Sequence, residues 1–379
     1  MTAVKIAHLI TGLSTGGAEQ MLYKLLSRND GSRFQPCVIS LMDQGTLGKP
    51  ITDLGIPVFF LGMRRGVPDV TGIWKLWNIL RRERPRLLQT WLYHADVLGL
   101  LGGKLVGVPH VIWNLRCSNM NLAEYSKVTG LTMRAGARLS HWPEAIIVNS
   151  RAGQRFHEEL GYRPKHWEFI PNGFDLDHFK PNQSARVQLR ERLKLPEDAF
   201  LIGHVARFDP MKGHEIFLRA AHMIAKRRAG PQFVLAGRDV EITNTTLRGL
   251  IDDLELNDRV HLLGECHEVA HITAALDVAS SSSVFGEAFS NAIGEAMACG
   301  VPCVVTDVGD SAIIVGDTGN VVPPGDPEAL AEAWDDLLCI SPEERQRIGS
   351  AARRRVQTCY SLSDVTDRYQ RFYQDIAQQ

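Results

Sequence analysis

Two carboxylates, Glu287 and Glu295, stand with seven residues between them in the stretch FGEAFSNAIGEAMACG, Phe285 to Gly300. Ser290 and Asn291 are helix-starting residues, Ile293, Ala296 and Met297 share an apolar face, and Gly300 with Pro302 stops the helix. The carboxylates therefore flank the start of a helix that feeds a strand, CVVTDV from Cys303 to Val308. A loop entering a helix in an α/β chain favours phosphates, because unpaired backbone N–H groups and the helix dipole attract an anion. Carboxylates placed there should face hydroxyls. A sugar nucleotide offers both, a diphosphate for the helix end and ribose and hexose hydroxyls for Glu295 and Glu287.

A second constellation lies in VARFDPMKGHEIFL, Val205 to Leu218. Arg207 and Lys212 flank a turn at Pro210, and Gly213 opens a helix, so both cations can converge at a strand's carboxyl end and clamp a diphosphate. Fixed cations and helix-end N–H groups that hold the diphosphate as it departs stabilise the leaving charge. Neither a metal nor a cofactor is then expected. In TGLSTGGAEQM, Gly16 and Gly17 precede a helix and permit close approach of a ligand. Their spacing fits neither a dinucleotide fingerprint nor a Walker loop. His94, in QTWLYHADVLG, directly follows a strand, where it can contact a sugar or polarise a transition state. Asp175-Leu176-Asp177 has the DxD form of a metal motif but follows Pro-Asn-Gly, so turn chemistry explains it.

The elements that must position these residues form two series. At 379 residues the chain predicts two domains. Strand-like runs at Val4 to Thr11, Pro36 to Leu41, Val58 to Leu61, Leu87 to Trp91, His110 to Leu115 and Ala145 to Ser150 alternate with helical segments. After a turn-rich linker, Phe169 to Pro181, a second series runs through Phe200 to Phe208, Gln232 to Gly237, Arg259 to Gly264, Leu276 to Ser282, Pro302 to Val308 and Gly319 to Pro323. Such alternation predicts α/β architecture, two facing Rossmann-like domains with ligands in the cleft between them at the strands' carboxyl ends. The expected divisions are residues 1–178, 179–361 and a terminal helix 362–379, with Val365, Tyr369, Phe372 and Ile376 at helical spacing.

Composition narrows the setting. Hydrophobic content of 44% and charged content of 22% fit an ordinary globular chain, and seven cysteines without a CxxC pair suit a reducing compartment. No secretory leader or membrane-length apolar run is evident. Cytoplasm is the expected location. Net charge of −1 conceals a split: residues 1–178 carry 21 Lys and Arg against 14 Asp and Glu, the remainder 21 against 29. The basic half suggests an anionic surface or acceptor. GIWKLWNILRRERPR, Gly72 to Arg86, reads either as a helix packed on the sheet with a basic C-terminal cap or, more sharply, as weak contact with anionic membrane through Arg81, Arg82, Arg84 and Arg86 with Trp74 or Trp77, peripheral at the inner face of the plasma membrane. No nucleic-acid motif accompanies the basic half, and no nucleic-acid partner is expected.

TGLSTGGAEQM, QTWLYHADVLG, IPNGFDLDHF, HVARFDPMKGHEIFL and above all GEAFSNAIGEAMACGVPCVVTDVG resemble GT-B glycosyltransferases of family 4, group 1, from end to end. The resemblance implies a retaining, metal-independent transfer of hexose from a nucleoside-diphosphate sugar, a UDP-sugar first, to a hydroxyl of a glycan or lipid-linked acceptor in cell-surface polysaccharide or lipid-linked glycan assembly. It implies that Arg207 and Lys212 bind the donor diphosphate, Glu295 the ribose, Glu287 the transferred sugar, and His94 the sugar near its anomeric carbon. Phe289, Ser290 and Asn291 complete the donor side, Gly16 and Gly17 line the phosphate and acceptor side, and the terminal helix crosses back to the first domain. One departure is visible: the family's second glycine after Gly309 is Asp310, and its expected Glu is Ile313. Rival readings are a sugar-nucleotide epimerase or phosphorylase of the same architecture, or a non-catalytic sugar-nucleotide-binding protein.

Overall fold

The computed structural model describes residues 3–64, 69–118, 127–266 and 268–379. Its chain divides into two compact units, Met1–Gly173 with Leu362–Gln379, and Phe174–Ser361. The first holds seven strands: β1 (Val4–Ile10), β2 (Phe34–Ser40), β3 (Val58–Phe60), β4 (Leu87–Trp91), β5 (His110–Leu115), β6 (Ala145–Val148) and β7 (Trp167–Phe169). They order as β3-β2-β1-β4-β5-β6-β7, all parallel. β4 and β5 are buried at every position, as apolar strands covered by helices on both faces must be. Succession reverses between β1 and β4, which pair directly with Ile10 opposite Trp91. At such a switch point the flanking helices leave on opposite faces and open a crevice at the carboxyl ends.

The second unit repeats the plan with β8 (Leu201–Val205), β9 (Gln232–Ala236), β10 (Val260–Leu262), β11 (Val278–Ser281), β12 (Cys303–Thr306) and β13 (Asn320–Val322). Their order is β10-β9-β8-β11-β12-β13, again parallel, and the switch point lies between β8 and β11. Each unit is a Rossmann-like α/β domain.

The terminal helix, Leu362–Ala377, belongs to the first unit. Val365, Tyr369, Tyr373 and Ile376 are buried among Ile6, Phe34 and Trp91, and Phe372 packs at the margin. Burying each such side chain contributes about 1.5–3 kcal/mol. Arg86 Nε donates to the Ala377 carbonyl at 2.7 Å, a cation on the helix's negative end.

Candidate functional site

At the second unit's switch point the chain leaving β8 is fixed to the chain leaving β11. Asp209 is the hinge of this arrangement. One of its oxygens accepts the Met211 N–H at 3.0 Å and caps the turn Pro210–Lys212; the other accepts Arg207 Nε at 3.0 Å and Nη2 at 2.9 Å. Gly213 follows in the left-handed region, φ 63°, and a Cβ there would lie 2.0 Å from the Ser282 carbonyl oxygen. The Ser282 hydroxyl donates toward the Lys212 and Gly213 carbonyls, each at 3.0 Å. This close seam aims the Lys212 ammonium at Glu287, with which it forms an ion pair.

Glu287 is buried and also accepts the Ser283 hydroxyl at 3.2 Å. Burial pushes its carboxyl upward, but the Lys212 charge and the hydrogen bonds from Lys212 and Ser283 outweigh it and hold the group below its ordinary value. Its backbone is held in turn by Gly309, at φ 63°, where a Cβ would meet the Glu287 carbonyl oxygen at 2.1 Å. Beneath lie two buried histidines with rings 4.7 Å apart. Desolvation lowers His204 to about 4 and His214 to about 2, so both stay neutral and the local positive charge rests on Arg207 and Lys212.

The helix Asn291–Ala298 begins one residue after Ser290, as its sequence implies, but the Ser290 side chain caps none of its N–H groups. Glu295 sits half-buried in this helix and Glu287 precedes it. Phe289 is placed differently from a donor contact: its ring is buried, stacked on Phe174 at 6.2 Å and edge-on to Tyr360 at 5.6 Å. It supports the loop from the core and leaves only its backbone for a ligand. Asp175 accepts the Asp177 and His178 N–H groups at 3.0 and 3.1 Å, the turn that Pro-Asn-Gly leads into. Among the described residues no group of three or more His, Cys, Asp or Glu side chains converges as a metal site.

The first unit's switch point carries Gly16 and Gly17 after β1 and His94 after β4. Gly16 is extended, and a Cβ on it would collide with Glu19 Oε2 at 2.4 Å, so glycine makes room for the Glu19 carboxylate folded over the turn. His94 is half-buried in the first turn of the helix Tyr93–Val106. Before it, Leu92 adopts φ 73° and ψ 153°, a region nearly reserved for glycine that costs on the order of 1–3 kcal/mol. Neighbouring Tyr93 is locked: its hydroxyl lies 2.8 Å from His157 Nε2 and 3.0 Å from Cys117 Sγ. Strain at Leu92 and this anchor fix the direction in which His94 leaves β4.

Thus Arg207, Lys212 and Glu287 gather at one switch point, with Ser290, Asn291 and Glu295 on the helix that follows, while Gly16, Gly17 and His94 gather at the other. Asp209, Ser283, Glu19 and Leu92 were not singled out from sequence. Asp-Pro before a short turn is a capping signal that could have found Asp209; nothing in the sequence marks Leu92.

Two family models match the chain, Glycosyltransferase Family 4 over residues 15–178 and Glycosyl transferases group 1 over residues 186–355. EpsF of Bacillus subtilis, named as a glycosyltransferase, is 25% identical over 319 residues, covering 80% of this chain and 79% of that one. The UDP-Gal:alpha-D-GlcNAc-diphosphoundecaprenol alpha-1,3-galactosyltransferase of Escherichia coli is 27% identical over 261 residues, 66% of this chain and 65% of the other. Anabaena HepE in complex with UDP and glucose has a similar fold, with TM-score 0.86 at 22% identity over 98% of this chain and 100% of that one. Sucrose-phosphate synthase from Thermosynechococcus elongatus gives 0.81 at 20% over 98% and 99%. With one family match on each half of the chain and the two-domain fold in common, the chain belongs to the family 4, group 1 glycosyltransferases of GT-B fold.

Proposed function

We propose that this glycosyltransferase takes a UDP-sugar and moves its hexose, with retention and without a metal, to a hydroxyl of a glycan or lipid-linked acceptor in cell-surface polysaccharide or lipid-linked glycan assembly. The carrying observation is the convergence of Arg207, Lys212 and Glu287 where β8 and β11 part. Arg207 is the more exposed cation and can turn from Asp209 to a diphosphate, while Lys212 stays beside Glu287. Charge developing on the departing diphosphate meets cations already in place, and Glu287 and Glu295 are left to receive sugar and ribose hydroxyls. His94 is assigned to the sugar, and the departing phosphate to the role of base in same-face attack. The E. coli relative named for a UDP-sugar donor and Anabaena HepE bound to UDP and glucose support the choice of nucleotide.

Glu295→Ala is expected to weaken UDP binding by about 1.5–3 kcal/mol, the worth of a hydrogen bond to a charged group. Glu287→Ala should mainly lower turnover. Calorimetric titration with UDP and a donor-turnover assay separate the two, and wild-type behaviour in both variants would overturn the assignment. Turnover is expected to survive EDTA. Its abolition by chelation and rescue by Mg²⁺ or Mn²⁺ would replace the metal-independent reading.

The location proposed is cytoplasmic with peripheral contact at the inner face of the plasma membrane. No helix among the described residues is long and apolar enough to cross a membrane. The helix Val70–Glu83 exposes Trp74 (63%) and its neighbour Tyr93–Val106 exposes Leu105 (76%); a Cβ on Gly102 would lie 3.3 Å from Leu76 Cδ2, so the two helices pack side by side. Arg81, stacked on Trp77 at 4.5 Å, and Arg82 and Arg84 lie exposed along the first helix's end. Arg86, by contrast, is occupied with the terminal helix and belongs outside a test variant. Flotation with anionic vesicles at low salt and its loss at high salt are expected, at about 1 kcal/mol per basic residue. Replacing Arg81, Arg82 and Arg84 by Gln should abolish it. Equal flotation of both proteins, or none at low salt, would leave a packed helix with a solvated basic end.

A further inference from the structure

Arg116 leaves the carboxyl end of β5, and its guanidinium lies over the Trp91 ring at the end of β4, 5.4 Å from the centroid. Nη1 donates to Asn114 Oδ1 at 3.3 Å and to the Tyr369 hydroxyl at 3.1 Å, and Nη2 donates to Asn172 Oδ1. Nε is buried without a partner. Every one of these acceptors is neutral, and no carboxylate among the described residues forms an ion pair with Arg116. The contrast within this chain is Arg190, buried at the amino ends of β8 and β11 in the other sheet and closed by Asp277 at 2.7 Å. Glu19 is the carboxylate coupled to Arg116, and burial raises its pKa more than its own backbone hydrogen bond and the Arg116 charge lower it.

A half-buried guanidinium with only neutral partners carries a desolvation cost that an anion would offset, and its fork matches phosphate in geometry. Donor diphosphate is already assigned to Arg207 and Lys212 on the second unit, so Arg116 is surplus to the donor. We propose that Arg116 is the acceptor-recognition residue of the first unit and that the acceptor bears a phosphate or diphosphate. This rests on the transferase reading above and adds the chemical class of the acceptor.

The test uses the full chain with UDP at saturation, so that the donor site is filled, and follows thermal unfolding while a second phosphate compound is added. One arm uses geranyl diphosphate as a lipid-type phosphate and the other a soluble hexose phosphate. The wild-type midpoint should rise further in one arm or both, and the stronger response assigns the source as lipid-linked or soluble. Arg116→Gln should weaken that response about tenfold or more, with the UDP shift unchanged. Arg116→Lys, which keeps the charge and loses the fork, should fall between and serves where the Gln variant does not fold. Flat arms in the wild type, or responses equal in wild type and variants, would overturn the proposal. Absence of the UDP shift in the wild type is a failure of the donor reading alone, and the same arms then score Arg116 on the protein without UDP.

Discussion

Lys212→Met is expected to lower the thermal midpoint sharply and to abolish measurable transfer. Its ammonium is the partner of a buried carboxylate, and removing one member of such a pair costs about 3–5 kcal/mol because the remaining charge stays desolvated. The pH dependence follows from Glu287. In the wild type its carboxyl is held below the ordinary value, so the pair's stabilisation is present above that value and is lost as pH falls through the folded-state pKa. In the variant, burial loses its main opponent and the folded-state pKa rises, so the deficit is greatest near neutral pH and shrinks as acid protonates Glu287. Thermal midpoints of both proteins at about pH 7.5 and about pH 5 measure this. An equal deficit at both would mean that Lys212 acts through packing. Adding Glu287→Gln to Lys212→Met should recover much of the stability and none of the turnover.

Gly213→Ala is the second large effect. The left-handed backbone there resists any side chain by about 1–2 kcal/mol, and the added Cβ would press on the Ser282 carbonyl oxygen from 2.0 Å, against backbone that cannot turn away. The turn must therefore separate from β11 and carry Lys212 with it. Displacement of about 1 Å in a positioning residue lowers turnover on the order of a hundredfold. A donor-turnover assay alongside a UDP titration should show this loss together with weakened UDP binding. Wild-type turnover would show that the seam between the two strand exits does not position Lys212.

The sheets were legible because their strands are buried on both faces. Leu87–Trp91 and His110–Leu115 fall where their largely apolar sequences place them, with Gln89, Thr90 and Asn114 buried among them. β7, Trp167–Phe169, was not legible: three half-buried residues at a sheet edge, with Glu168 among them, carry neither a run nor an alternation. The site was readable where chemistry is written in residue type, as with Arg207, Lys212 and Glu287. Partners set by tertiary contact were not. Asp209 holding Arg207 depends on the fold of a turn, and Glu19 over Gly16 on the crowding at a helix start. Phe289 reads as part of the donor loop, yet its ring packs inward on Phe174, a choice made by close approach at Gly294, where a Cβ would meet Phe174 Cζ at 2.0 Å.

The first unit is discontinuous in sequence, and this sets an order of assembly on the ribosome. Residues 174–361 form a contiguous unit and can close their core once they have emerged. The earlier-made half cannot, because the layer over Ile6, Phe34 and Trp91 is filled by Val365, Tyr369 and Tyr373, which are synthesised only after residues 174–361. Until that helix has emerged, the nascent chain holds an open apolar face on its N-terminal sheet, and a unit begun before residues 174–361 is completed after them.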